Sequence, residues 1–227
     1  MENSNRKTHV SSLVKKWLMA LTGLFLCIFL VVHLLGNLQL FMPAVKGQEA
    51  FNSYSKFMTS NPLIKTVSYL LYASIILHAL VSLWLTIQNR KARPVRYAKN
   101  TPSANSTWSS RNMGILGTII LVFIIIHMKN FWYEMHWGNM PIDPWGNKDL
   151  YTITVAAFRE IWYVVLYVFS MAAIAFHLVH GFASAFQTLG LRNKKYYPLI
   201  SGFGWFFSLT IPTAFAAIPV YIYFNSL

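Results

Sequence analysis

Apolar residues fall in five long stretches along this chain, at about 17–42, 63–88, 113–133, 161–187 and 199–223, and short polar segments separate them. Each is long enough to cross a bilayer core, which takes about 20 helical residues. The pattern predicts an all-α membrane protein of five transmembrane helices, the first four forming a bundle, in a single domain over residues 1–227. Lys15 and Lys16 precede the first stretch as they would in a signal peptide. That stretch is too long for a signal h-region and lacks a small-residue cleavage site, so it reads as a retained helix. Pro212 and Pro219 interrupt the last stretch and predict a kink there.

Composition supports this class. The 227 residues are 56% hydrophobic, 16% aromatic and 11% charged, with a mean hydropathy of +0.44. Soluble domains carry about 25% charged residues. The lone Cys27 cannot form an intrachain disulfide and reads as a small packing residue.

Basic residues set the expected orientation. Arg6, Lys7, Lys15, Lys16, Arg90, Lys91, Arg93, Arg96, Lys99, Arg111, Arg192, Lys194 and Lys195 fall on one side; Lys46, Lys56, Lys65, Lys129, Lys148 and Arg159 fall on the other. Thirteen against six puts the N-terminus in the cytoplasm and the C-terminus outside. The net charge of +13 reads as a topology signal beside anionic lipid. No aromatic–basic pattern points to nucleic acid. The outer connection 134–160 holds Pro141, Asp143, Pro144, Trp145 and Gly146, turn chemistry that suits an interfacial cap.

Four histidines stand one apiece in the first four stretches: His33, His78, His127 and His177. An ionisable group at that depth is costly and marks a functional site by default. Depth decides the pairing. His33 and His127 lie roughly 15 and 10 Å from the outer helix ends at 1.5 Å per residue, and His78 and His177 roughly 24 and 27 Å. The first and third helices therefore share an outer pair, the second and fourth an inner one. Two imidazoles on opposite faces of an iron leave no open position, which suits electron transfer, so the pairs read as axial ligands of two b haems.

A macrocycle also needs small neighbours. Ser170, Ala173, Gly181 and Ser184 flank His177 along one helix face, and Ser74 and Ser82 flank His78. Gly36 lies one turn after His33, and Gly117 lies higher on the His127 helix. Small strips also mediate ordinary membrane-helix packing. His180, the alternative to His177, lies about 60° round the helix from that strip. His136 reads as an interfacial histidine, and His9 belongs to the polar tail.

Thr22-Gly23-Leu24-Phe25-Leu26 ahead of His33, and Phe176-His177-Leu178-Val179-His180-Gly181 in the fourth stretch, carry a resemblance. Over the whole chain it resembles the cytochrome b membrane-anchor subunit of succinate dehydrogenase and fumarate reductase, in its single-chain, five-helix, di-haem form. The resemblance implies partners: a flavoprotein subunit and an iron–sulfur subunit on the cytoplasmic face. Electrons from succinate would then pass through the inner haem to the outer haem and a quinone, typically menaquinone. In keeping with chemistry housed elsewhere, the chain has no GxGxxG fingerprint, no P-loop and no cysteine cluster. No residue of this chain is expected to catalyse the dicarboxylate reaction.

The quinone site is less sharply marked. Outer-side carboxylates are Glu49, Glu134, Asp143, Asp149 and Glu160, each reading first as a solvated interfacial group. Glu49 and Glu134 are the quinone and proton candidates, Glu49 by the resemblance and Glu134 by its place after the outer histidine helix beside Trp132 and Tyr133. Lys129, Arg159, Lys15, Lys16 and Arg90 are the cations near helix ends that could meet propionates or snorkel to lipid phosphates. Two alternatives remain: a di-haem cytochrome b of another respiratory enzyme, of nitrate reductase or hydrogenase type, and a haem-free proton-coupled transporter. The second lacks paired broken helices in repeat halves.

Overall fold

The computed structural model describes residues 12–91 and 107–226. The described residues are mostly helical and form no strand, with one isolated bridge between Ile142 and Lys148. In chain order the helices are α1 (Ser12–Asn37), α2 (Ala44–Ser60), α3 (Pro62–Lys91), α4 (Trp108–Arg111), α5 (Met113–His127), α6 (Glu134–Trp137), α7 (Leu150–Phe158), α8 (Ile161–Thr188) and α9 (Tyr197–Asn225). Five helical segments are long and apolar enough to cross a membrane: Leu13–Phe41, Pro62–Lys91, Met113–Trp137, Ile161–Thr188 and Tyr197–Asn225. This is a multi-pass membrane protein. His9 and the basic residues Arg6, Lys7, Arg93, Arg96 and Lys99 lie outside the described residues.

The fourth span is central. α8 packs on α1, on α5 and most extensively on α9, while α1 also packs on α3. The core follows: Tyr163, Tyr167 and Met171 of α8 are buried with Leu34, Phe123, Ile218 and Ile222. Cys27 is buried with Leu178, Phe182 and Phe207, as a packing residue should be. α9 runs as one helix through Pro212 and Pro219, both buried.

Two connections are more ordered than their sequence suggests. The segment after the first span forms the amphipathic helix α2, with Gly47, Phe51 and Asn52 buried and Lys46, Glu49 and Lys56 exposed. Asn61 then caps α3, its Oδ1 accepting from the amides of Leu63 and Ile64, and Pro62 takes the first helical position.

The 134–160 connection folds down onto α2. A tight turn places Gly146 at φ +79°, left-handed backbone that favours glycine, and Asp143 accepts from the amides of Trp145 and Asn147. Asn52, 0% exposed, binds the whole cap. Its Nδ2 donates to Asp143 Oδ2 at 3.0 Å and Asp149 Oδ1 at 2.9 Å, and its Oδ1 accepts from Tyr151 N at 2.9 Å. Asp143 and Asp149 are therefore not solvated interfacial carboxylates. They are buried parts of a polar junction, because each trades water for several donors.

Candidate functional site: two histidine pairs within the membrane

The four histidines of the first four spans meet in two pairs. His33 and His127 have ring centroids 5.7 Å apart and nearly perpendicular planes, at 86°. His78 and His177 have centroids 6.3 Å apart at 63°. The first pair joins α1 to the end of α5, near the α2–α7 cap; the second joins α3 to α8, deeper toward the opposite end. Two imidazoles on opposite sides of one first-row metal, with metal–nitrogen distances of about 2 Å, set their centroids about 6 Å apart. Both pairs have that spacing. Among the described residues no group of three or more His, Cys, Asp or Glu side chains gathers as a metal site.

Hydrogen bonds fix how the rings can act. Thr22 Oγ1 lies 3.0 Å from His78 Nδ1 and already donates to the Leu18 carbonyl at 2.7 Å. While that proton stays on the Leu18 carbonyl, the hydroxyl can only accept from His78, an arrangement in which Nδ1 carries the hydrogen and Nε2 keeps its lone pair. Beside it a Cβ on Gly23 would come within 3.2 Å of the His78 ring, which is why that ring can lie so close to α1. Thr22 and Gly23 stand on the helix of His33 and contact His78 of the other pair. His127 Nδ1 meets the Tyr167 hydroxyl at 3.0 Å. Such outer contacts orient metal-bound imidazoles and raise their basicity. Among the described residues the His33 ring meets the Asn37 amide, at 3.5 Å. His177 Nδ1 is buried with no hydrogen-bond partner among the described residues, costly for an imidazole unless a ligand claims the ring.

The surroundings separate small residues that pack from those that leave room. Ser170 and Ala173 are buried in the core, so the strip around His177 is packing surface over its first half. At Gly181, and at Gly117 on α5, an added Cβ would meet nothing within 4 Å. Gly36 offers no room: the Tyr54 ring fills the space, and a Cβ there would collide with it. His180 is half-buried and joins neither ring pair.

The remaining candidates scatter. Lys15 is 5% exposed, its ammonium 4.0 Å over the Trp84 ring; Lys16, Arg90, Lys129 and Arg159 are exposed. His136 is exposed and stacks on Trp132. Glu49 is exposed on α2, whereas Glu134 is half-buried and lines a cleft of about 290 Å³ with Asn130, Phe131, Glu160, Trp162 and Tyr163. The two glutamates do not form one site.

Sequence reasoning missed three residues here. Asn130 Nδ2 donates to the Tyr163 hydroxyl at 2.6 Å, and Tyr163 and Tyr167 hydroxyls stand 3.5 Å apart. Their signal was polarity at helical spacing: Tyr163 and Tyr167 are i, i+4, and Asn130 follows His127 by three. A π-helical turn at Met128–Tyr133 carries Asn130 and Phe131, a local widening frequent at functional sites. No protein-family model, curated protein or solved structure matches the chain.

Proposed function

We propose that this chain is the di-haem cytochrome b membrane anchor of a succinate:quinone oxidoreductase, of succinate dehydrogenase or fumarate reductase type, in a bacterial cytoplasmic membrane with its N-terminus cytoplasmic. One observation carries the reading: four intramembrane histidines resolve into two pairs at different depths, each with the spacing of two ligands on one metal. His33 and His127 would hold the outer haem, His78 and His177 the inner one. Thr22 and Tyr167 meet His78 and His127 at Nδ1, which leaves Nε2 of each ring to serve as the ligand. Phe29, Phe123, Phe131 and Phe215 pack around the outer pair with apolar rings. Haem b bound at these positions supplies one-electron transfer with no coordination site open to oxygen.

Flavoprotein and iron–sulfur partners on the cytoplasmic face and menaquinone as electron acceptor complete the proposal; the resemblance of the two histidine motifs supports them. A reduced-minus-oxidised spectrum of the purified chain tests it. Two b haems per chain, with flavoprotein and iron–sulfur subunits co-purifying and succinate–quinone activity in the complex, are expected. A haem-free chain overturns it, and two haems with different partner subunits would assign it to another respiratory enzyme.

A further inference from the structure

The cleft lined by Asn130, Phe131, Glu134, Glu160, Trp162 and Tyr163 joins His127 through an unbroken row of hydroxyls. If His127 ligates through Nε2, its Nδ1–H donates to Tyr167, and the Tyr167 hydroxyl donates on toward Tyr163. Tyr163 also accepts from Asn130. Both incoming bonds use its oxygen lone pairs, so its own O–H is left to donate. Tyr163 is 2% exposed, and a buried hydroxyl proton with no acceptor is costly. The cleft is the space it borders.

We propose that this cleft receives the ring of a lipid-soluble quinone, with the Tyr163 hydroxyl donating to one of its carbonyls. The inference rests on the cytochrome reading and names where on the chain the quinone sits. Several features select that class. Phe131, Trp162 and Tyr163 offer ring faces to a planar molecule. Glu134 and Glu160 disfavour an anion. A volume of about 290 Å³ lies near the lower end of ligand pockets, roughly 300 Å³, enough for a small head group and too little for a porphyrin. Trp162, which lines the cleft, is 62% exposed on a membrane-spanning helix, so an isoprenoid tail can leave toward lipid.

Photolabelling of the whole purified complex with an azido-naphthoquinone, mapped by peptide mass spectrometry, tests this. Label is expected on peptides containing 130–134 and 160–163 and is displaced by excess unmodified menaquinone analogue. Ala157→Phe, which places a ring at the cleft wall, should lower that labelling at least tenfold, and Tyr163→Phe should weaken binding severalfold, both with haem content unchanged. Displaceable label on α2 near Glu49, or cleft labelling unaltered in both variants, overturns the proposal while leaving the cytochrome reading in place. Labelling requires no haem, so a wild-type chain that labels in the cleft yet binds no haem overturns the cytochrome reading alone.

Discussion

The two histidine pairs share nearly the same ring spacing, yet the protein surrounds them differently. His33 and His127 sit among aromatic rings: Phe29 stacks on His33 at 5.2 Å, Phe215 lies 5.5 Å away, and Phe123, Phe131 and Tyr167 ring His127. His78 and His177 sit among small groups, with Thr22 and Gly23 on one side and open space at Gly181. Held by imidazoles alone, two b haems would be alike. Hydrogen bonding and polarity around the ligands tune a haem's potential, so the unlike settings are expected to give two distinguishable haems, one per pair.

The largest effect should come from removing a ligand. His127→Ala and His177→Ala are each expected to abolish one haem signal and retain the other, in complementary fashion, as read by redox-difference spectra and haem stoichiometry. Loss of both signals from either variant would mean the pairs do not bind separately.

The cap sharpens the contrast from another direction, since it closes only the end near His33 and His127. Asn52→Ala leaves Asp143 and Asp149 without their shared donor, at a cost of about 3 kcal/mol for two hydrogen bonds to charged groups. The expected result is a lower melting temperature in detergent and faster amide exchange in 134–160, with the His78–His177 signal little changed. Acid should act at the same place. Burial pushes both carboxyls upward, but bonds from Asn147, Asn52 and Trp145 to Asp143, and from Thr152, Asn52 and Gln48 to Asp149, outweigh it and hold both below the ordinary 3.8. A depressed folded value means stability that is fully present above pH 3.8 and lost as pH falls below it. Proteolysis of the cap against pH reads this directly.

What the sequence made legible follows from the physics of a bilayer. Five spans appear because hydrocarbon demands long apolar runs, and the structure's helices extend those runs by only a few residues at most ends. The depth of each histidine was readable because a helix is a ruler. Contacts set by rotation and lateral packing were not. Gly36 looked like room and is filled by Tyr54; Thr22 looked like part of the His33 helix motif and bonds His78. Asn52 gave no signal, since its partners lie about a hundred residues away. Such pairings depend on how α2 and the 134–160 segment fold back, which no local pattern records.

Smaller effects should follow from the hydrogen bonds that orient the rings. Thr22→Val removes the acceptor for His78 Nδ1–H, and Tyr167→Phe removes the partner of His127. Losing such a contact lowers cofactor affinity by about 10-fold or more. Haem titration of the apo-protein should show each variant weakening one haem and sparing the other. Equal weakening of both by either variant would make the surroundings a shared property of the bundle.

The smallest expected effect separates a tight glycine from an open one beside the inner pair. A methyl at Gly23 would lie 3.2 Å from His78 Cε1, a distance at which the ring must yield by a few tenths of an ångström. That shift would lengthen the 3.0 Å bond to Thr22 on the same turn and so disturb the ring's orientation rather than the fold. Gly181→Ala meets nothing within 4 Å, and exchanging glycine for alanine inside a helix stabilises it by about 1 kcal/mol. Without haem, then, Gly181→Ala should melt slightly higher than the wild type and Gly23→Ala slightly lower. With haem, the order informs on the open space: if a macrocycle edge occupies it, the methyl at Gly181 meets that edge and its stabilising effect disappears. A gain that persists equally in both states would place the macrocycle away from Gly181.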